Sequence, residues 1–272
     1  MSKGISYRSS ELLDGLICRK KEFFTLKEAL EILSDRDNTT VRKLLSDMTK
    51  RGVIMRVKEG LYHRIPYEQH PDQYVPNWHL TAEAMVQPKE FYIGFYSALD
   101  IHGLITQPSM VEQVVTHEQV KPKVQQVRNV RFEFITLNKK LFFGYKKHWI
   151  DDFHKVYCSD PEKTLLDCLY KPNYAGGIAE ITKALYKSRE KLQPAKFQEY
   201  LEIFNSQAIY KRFGYIIGAL KLYPELQKFI AGKISSSFAP LDPSLDKHGH
   251  YNSKWGIIDN IDFKTVIGSI KT

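Results

Sequence analysis

The first 65 residues contain three segments with apolar side chains at helical spacing, followed by two short apolar runs. The first segment predicts a helix over about residues 9–20. Thr25 and Glu28 form a capping box, a pair of side chains that satisfies free N–H groups at the start of a second helix. The apolar face of this second helix comprises Leu26, Ala29, Leu30 and Leu33.

A third helix follows a polar turn at residues 34–37. Asn38 or Thr39 is its expected N-cap, and Gly52 is expected to end it. Its apolar side chains lie at i, i+3, i+4 and i+7: Val41, Leu44, Leu45 and Met48. The opposite face mixes short hydrogen-bonding side chains with cations, a combination that suits the major groove of DNA.

The two apolar runs, residues 53–57 and 61–65, flank Lys58-Glu59-Gly60, which is typical of a hairpin turn. Three helices followed by a basic hairpin is the element order of a winged helix-turn-helix domain, whose third helix lies in the major groove. We therefore expect these residues to contact DNA: Thr39, Thr40, Arg42, Lys43, Lys50, Arg56 and Lys58. Winged domains also act as protein-interaction modules, and this alternative stays open.

A change of pattern near residue 70 divides the chain. The segment 66–76 has three prolines and no periodicity, so we expect a DNA-binding domain at 1–68, a linker at 69–77 and a second domain at 78–272. The second domain is expected to be mixed α/β and rich in helices, which makes the whole chain α+β. Its predicted strands are 111–116, 130–135 and 155–158. Its predicted helices are 78–85, 91–104, one opened by a capping box at Ser159–Glu162, 177–187, 194–205, 207–220 and 224–230, with an irregular tail from Ser235.

The charge balance favours a polyanionic partner. The 272 residues include 40 Lys and Arg against 31 Asp and Glu, a net charge of +9 with neutral histidines. The same excess is common in proteins that bind no nucleic acid, so its distribution matters. Basic residues are concentrated in the first 65 residues and in a second basic patch: Lys121, Lys123, Arg128, Arg131, Lys139, Lys140, Lys146 and Lys147.

Composition also excludes several classes of protein. No apolar run approaches the roughly 18 residues that a membrane span needs, and the chain start lacks the apolar stretch of a signal peptide. We therefore expect a cytoplasmic protein with no membrane partner. The three cysteines, Cys18, Cys158 and Cys168, cannot build a disulfide framework or an all-cysteine zinc site, and buried thiols are expected.

Six short motifs stand out along the chain: Ser97–Leu104, Ser159–Asp167, Ala175–Gly177, Phe213–Tyr215, Pro240–Pro243 and Asn252–Trp255. They occur in the order found in the abortive-infection AbiEi family of antitoxins, which the chain resembles. The resemblance covers most of the chain and implies a winged N-terminal domain that represses its own operon at the promoter. It also implies a C-terminal domain that counters a nucleotidyltransferase-like toxin without forming a stable complex with it.

Several side chains are candidates for chemistry, each with a simpler structural interpretation. His102 can be a base or a helix C-terminal histidine before Gly103, and Ser97 lacks a hydrolase elbow. Asp160, Glu162 and Asp167 can hold a metal, but capping explains the first two. Two weaker candidates lie in the tail. One is a set of possible metal ligands, Asp242, Asp246, His248 and His250, and the other is a nuclease-like set, Asp259, Asp262 and Lys264.

Aromatic side chains among the lysines of the second basic patch suggest stacking on single-stranded RNA, although packing in the core is the simpler use. These residues are Tyr92, Phe95, Tyr96, Phe142, Phe143 and Tyr145. The residue pattern therefore favours a non-enzymatic DNA-binding regulator without metal or cofactor. The resemblance implies double-stranded promoter DNA as its partner and the toxin as its functional partner. The alternatives are an ordinary ligand-responsive regulator and an enzyme that acts on nucleotides or nucleic acids.

Overall fold

The computed structural model describes residues 6–105, 107 and 109–271. These residues form a mixed α+β protein with eleven α-helices and three β-sheets. The chain divides into two compact units. The N-terminal unit comprises the described residues up to Lys89 together with Gln125–Phe132, and the C-terminal unit comprises Glu90–Val124 and the described residues from Glu133 onward.

The N-terminal unit has three helices, a short antiparallel sheet and a fourth helix. Its helices are α1 (Tyr7–Cys18), α2 (Leu26–Ile32), α3 (Asn38–Lys50) and α4 (Trp78–Val86), and its strands are β1 (Phe23–Thr25), β2 (Ile54–Lys58) and β3 (Leu61–Arg64). The sheet order is β1-β3-β2. The apolar faces of α1, α2 and α3 meet in one core with Phe24, Ile54 and Tyr62 of the sheet. Residues 69–77, the predicted linker, and α4 belong to this unit.

The helix starts follow local hydrogen bonding. The capping box of α2 is confirmed: Thr25 N donates to Glu28 Oε2 at 2.7 Å, and Glu28 N donates to Thr25 Oγ1 at 3.2 Å. The prediction that Asn38 or Thr39 caps α3 is wrong, because Asp37 does so. The Asp37 carboxylate accepts hydrogen bonds from two backbone N–H groups, which leaves Asn38 and Thr39 inside the first turn.

A buried histidine lies in the small sheet. His63 on β3 is 1% exposed, and its ring packs against Phe23 (centroids 4.4 Å apart) and stacks on Tyr74 (5.5 Å). Its Nε2 lies 2.9 Å from the Tyr74 hydroxyl. Burial, assisted by the charge of Arg64, lowers the pKa of His63 to about 4. The histidine is therefore neutral in the folded protein at neutral pH.

The rest of the chain forms a six-stranded sheet, a three-stranded sheet and the remaining helices. In chain order the elements are β4 (Phe91–Ile93), α5 (Phe95–Ile101), β5 (Val111–Thr116), β6 (Val124–Val127), β7 (Val130–Thr136), a 3₁₀ turn (Lys139–Leu141), β8 (Tyr145–Trp149), β9 (Lys155–Ser159), α6 (Pro161–Tyr170), a 3₁₀ turn (Pro172–Tyr174), α7 (Gly177–Ser188), α8 (Pro194–Phe204), α9 (Gln207–Leu220), α10 (Pro224–Ala231), β10 (Ala239–Pro240), β11 (His250–Asn252), β12 (Ile257–Asp259) and α11 (Phe263–Lys271). The larger sheet has the order β6-β7-β5-β4-β9-β8, and the smaller has the order β10-β12-β11.

The helices predicted from residues 177, 194, 207 and 224 begin at those residues, and the predicted strands correspond to β5, β7 and β9. The helix predicted over 91–104 is wrong in its first part. Phe91–Ile93 is strand β4, which pairs with β5 and β9, and the helix begins only after Gly94. This run is apolar at nearly every position, so periodicity does not separate a buried strand from a buried helix.

The prediction of an irregular tail is also wrong. Residues after Ser235 form β10, β11, β12 and α11, and Trp255 packs against α9. A Cβ at Gly214 would lie 2.4 Å from the Trp255 ring, so the close approach requires glycine there. The buried Arg212 donates from Nε to Pro240 O at 3.2 Å and from Nη1 to Leu169 O at 3.0 Å. Contacts distant in sequence thus order strands that are only two or three residues long.

A fully buried ion pair lies inside the C-terminal unit. Lys163 Nζ lies 2.5 Å from Asp167 Oδ1 one turn further along α6, and both side chains are 0% exposed. The Tyr92 hydroxyl donates to Asp167 Oδ2 at 3.0 Å. The rings of Phe143 and Phe204 lie about 5 Å from the ammonium group. Burial lowers the pKa of Lys163 and raises that of Asp167, and their mutual attraction opposes both shifts.

The start of α6 departs from the predicted capping box. Asp160, not Ser159, is the N-cap, and its Oδ1 accepts from Lys163 N at 3.0 Å. Ser159 is instead the last residue of β9. Glu162 accepts from the backbone N–H of Gln193 and pairs with Lys196, which also binds Asp160 at 2.9 Å. These acids connect α6 to α8.

The thiols of Cys158 and Cys168 are buried as expected, whereas the prediction is wrong for Cys18, which is exposed near the end of α1. Burial raises the pKa of both inner thiols.

Among the described helices, none has both the length and the apolar character needed to cross a membrane.

Replacing Asp167 with Asn should lower the free energy of unfolding by about 3–5 kcal/mol, because the ammonium of Lys163 would then be buried without its counter-charge. The double variant Lys163→Met with Asp167→Leu should regain most of this loss, because both charges are removed. Urea unfolding of both variants and the unaltered protein gives the comparison. A double variant as unstable as Asp167→Asn would contradict this account.

Acidification should destabilise the N-terminal unit through His63. The pKa of His63 is depressed in the folded state, so the unfolded chain takes up the proton first as pH falls below about 6.5, and stability is lost from there down toward pH 4. Between pH 7 and pH 5 the loss should be about 2 kcal/mol. Denaturant unfolding of His63→Phe should show a shallower pH dependence, whereas His70→Gln, at an exposed position, should behave like the unaltered protein.

Candidate nucleic-acid interface

Helix α3 has one buried and one polar face. Val41, Leu45 and Met48 are at most 1% exposed and fix the helix on the core of the N-terminal unit. The residues that point away from this core are all exposed: Thr39, Thr40, Arg42, Lys43, Ser46 and Lys50. The 3.6-residue period therefore gathers five of the seven predicted DNA contacts on one exposed face.

The beginning of that face is acidic. The Asp37 carboxylate accepts from Thr39 N at 2.9 Å and Thr40 N at 3.2 Å, and the Thr40 hydroxyl also donates to it. These hydrogen bonds, first that of the Thr40 hydroxyl, lower the pKa of Asp37, so the cap is anionic at neutral pH. The nearby Asp35 carboxylate pairs with Arg8. The basic part of the face therefore starts at Arg42, one turn into the helix.

The cations beyond the first turn share α3 with one carboxylate, that of Asp47, which lies four residues from Lys43 and three from Lys50. Within the described part of the chain, Arg42, Lys43, Lys50 and Arg56 form no ion pair with a carboxylate, although acidic side chains pair with other cations of this unit. A phosphate could bind any of the four without displacing an internal partner. This lowers the cost of binding, because an existing ion pair does not have to be broken.

The β2–β3 hairpin positions its two predicted contacts differently. Gly60 has a φ of +73° in the turn, and the pairing register shifts between Arg56 and Lys58. Arg56 is exposed. Lys58 is half-buried, and its ammonium donates to the Met85 carbonyl oxygen of α4 at 2.5 Å. Because its ammonium is already engaged by this carbonyl oxygen, Lys58 is less available for phosphate than Arg56, and burial also lowers its pKa.

All eight residues of the second basic patch are exposed. Arg128 and Arg131 belong to the N-terminal unit, and the other six belong to the C-terminal unit. Arg128 Nη2 donates to the Pro71 carbonyl oxygen at 2.7 Å, which ties the β6–β7 turn to the segment after β3. In the C-terminal unit, Lys139 and Lys140 lie on the 3₁₀ turn, and Lys146 and Lys147 lie on β8.

Several of the other side chains considered for chemistry have structural partners. The Nε2 of His102 lies 2.7 Å from the Ser159 carbonyl oxygen, and burial lowers the pKa of this histidine, so the folded protein holds it neutral rather than as a cation at the helix end. Asp259 accepts from the Tyr215 hydroxyl and from Phe263 N, and Asp242 accepts from Ser244. Among the described residues, no three His, Cys, Asp or Glu side chains come together as a metal site.

The predicted aromatic residues mostly pack in the core. Tyr92 and Phe95 are fully buried, and the other four, Tyr96, Phe142, Phe143 and Tyr145, are partly buried against the same core. Three rings of the β8–β9 hairpin, Trp149, Phe153 and Tyr157, are exposed instead, as are Phe238 and Tyr251 of the same unit. The run from residue 145 to 149 places Tyr145, Lys147 and Trp149 at alternate positions, and this signal could have indicated Trp149.

Comparison with known proteins gives a match at the level of the fold. No family model matches the chain, and no curated protein matches its sequence. The structure is similar over its full length to the crystal structure of the RV2827C protein from Mycobacterium tuberculosis, with a TM-score of 0.73. The alignment covers 100% of this chain and 97% of that chain at 13% sequence identity. The chain therefore shares its overall fold with that protein.

Proposed function

We propose that the N-terminal unit is a winged helix-turn-helix that binds double-stranded DNA in the promoter region of its own operon and represses transcription. The observation that carries the proposal is the exposed face of α3, where Arg42, Lys43 and Lys50 form no ion pair with a carboxylate of the described chain and lie opposite a buried apolar face. Arg56 of the β2–β3 hairpin adds a fourth available cation. Phosphate contacts from such cations supply most of the affinity, and the threonines and arginine of α3 can reach base edges.

The rigid support of α3 favours a role in recognition. Leu45 and Met48 are locked in the core, and Asp37 fixes the first turn, so the polar face is held in one orientation before DNA arrives. An α-helix with its side chains fits the width of the major groove. Little conformational entropy then has to be lost on binding.

We propose that the C-terminal unit acts as an antitoxin, with a nucleotidyltransferase-like toxin as functional partner and without enzymatic activity of its own. The resemblance of its six motifs to the AbiEi family supports this role. The absence of catalysis is supported by Asp160, Glu162 and Asp167, because each is engaged with a side chain or backbone group of the fold. Structural similarity at 13% identity supports the fold alone.

The double variant Arg42→Ala with Lys43→Ala should bind the native upstream duplex at least about tenfold more weakly at physiological salt. Its slope of log affinity against log salt should be shallower by up to about two units, since each lost phosphate contact releases fewer counterions. Fluorescence anisotropy with the native and a scrambled duplex across a salt series measures both quantities.

The matched control is Lys228→Ala with Lys233→Ala on and beside α10, which removes the same charge from the C-terminal unit. This control should bind like the unaltered protein. Equal losses in the two double variants would indicate attraction to net charge rather than recognition by α3. Protection against a co-expressed nucleotidyltransferase-like toxin should persist in Arg42→Ala with Lys43→Ala, because the two proposed roles belong to different units.

A further inference from the structure

The β8–β9 hairpin carries an exposed surface that the winged-helix proposal does not use. Strand β8 is the edge of the six-stranded sheet. Its register with β9 places Lys147 opposite Tyr157 and Trp149 opposite Lys155. Directly opposed residues share one face of a sheet, so these four side chains form a single patch, which we call the hairpin face.

The aromatic rings of this hairpin are unusually open to solvent. Trp149 is 56% exposed, Tyr157 is 37% exposed, and Phe153 at the hairpin tip is 85% exposed. The described part of the C-terminal unit otherwise buries most of its aromatic side chains in one core. Several exposed rings at one edge of a domain are typical of a binding surface, whereas single exposed apolar side chains are common on any protein surface.

Cations alternate with these rings. The ammonium of Lys155 lies 4.1 Å from the centre of the Trp149 ring, and that of Lys147 lies 5.5 Å from the centre of the Tyr157 ring. Lys146 on the other side of β8 is also exposed. The acidic groups of the hairpin, Asp151 and Asp152, are confined to its turn, and Asp151 is engaged by His154 at 2.9 Å.

The hairpin face is anchored to the core from behind. Tyr145, on the same face, lies 5.9 Å from Tyr157 in an edge-to-face contact and stacks on the buried Tyr92 at 5.1 Å. This chain of rings restricts the orientation of Tyr157. A rigid ring loses little entropy when a flat ligand stacks on it.

We propose that the hairpin face binds single-stranded nucleic acid, with bases stacked on Trp149 and Tyr157 and phosphates paired with Lys147 and Lys155. An unstacked base can replace the ammonium group that lies over each ring, and the displaced cations then match a phosphate backbone. A duplex fits less well, because its bases are stacked on each other. An acidic peptide would satisfy the lysines but leave both ring faces without a partner of similar shape. RNA and unpaired DNA share the required chemistry.

Tryptophan fluorescence of the full-length protein tests the proposal directly. The chain has three tryptophans, of which Trp255 is 3% exposed and Trp78 is 41% exposed in the N-terminal unit. In a Trp78→Phe background, quenching on addition of a ligand therefore reports on Trp149. The probes are oligo(rU) and oligo(dT) of about 12 nucleotides, a duplex of the same length and polyglutamate of matched charge.

Quenching by either single strand, with much weaker quenching by the duplex and polyglutamate, is the expected result. The oligonucleotide that quenches at the lower concentration, oligo(rU) or oligo(dT), shows whether RNA or unpaired DNA is the favoured ligand. Trp149→Ala with Tyr157→Ala should weaken single-strand binding, followed by anisotropy of a labelled strand, by about tenfold or more. The Arg42→Ala with Lys43→Ala variant should bind the single strand normally, which separates this surface from the proposed DNA-binding helix.

Three outcomes would overturn the proposal. Equal quenching by polyglutamate would assign the surface to acidic proteins, and equal quenching by the duplex would indicate charge attraction without stacking. Unchanged single-strand affinity in the aromatic double variant would show that the rings do not bind nucleic acid. The lysines would then be explained by protection of an edge strand against aggregation. Trp149→Phe, which keeps a ring, should retain binding, and an unchanged circular-dichroism spectrum of the alanine double variant excludes loss of folding as the cause of its weak binding.

Discussion

The buried ion pair of Lys163 and Asp167 is the constraint around which the C-terminal unit is arranged. A lysine without water access is tolerated only where a carboxylate, a hydroxyl and aromatic faces replace its hydration. Those groups come from β4, α6, α8 and the segment between the 3₁₀ turn and β8. The requirement to satisfy one charge therefore fixes the relative positions of elements that are far apart in the chain.

The N-terminal unit follows a different principle, in which each feature of α3 is set locally. Asp37 fixes its start, the helical period divides its faces, and the small sheet packs below it. Within the described chain, the cations Arg42, Lys43 and Lys50 of its polar face form no ion pair with a carboxylate, whereas the threonines of that face take part in the cap. Cations without such a partner are free to serve binding, and the proposed function rests on them.

The parts of the fold that the sequence could predict are those set within a few residues. The capping box at Thr25, the apolar stripe of α3 and the prolines that open α8 and α10 are all of this kind. Strand β4 was missed because its uniformly apolar run gives no period. The tail was missed because Arg212 and Trp255 order it from a distance. The state of Lys58 depends on Met85, 27 residues away, and no local pattern indicates such a contact.

The same buried pair has a consequence for how sequences of this fold can change. Losing one partner leaves the other as an unpaired buried charge, so replacements at Lys163 and Asp167 are tolerated mainly when they occur together. Such coupling slows drift at these positions whatever the protein does. The segment Ser159–Asp167 would then persist among chains of this fold even where their binding partners differ, as a record of common architecture rather than of common chemistry.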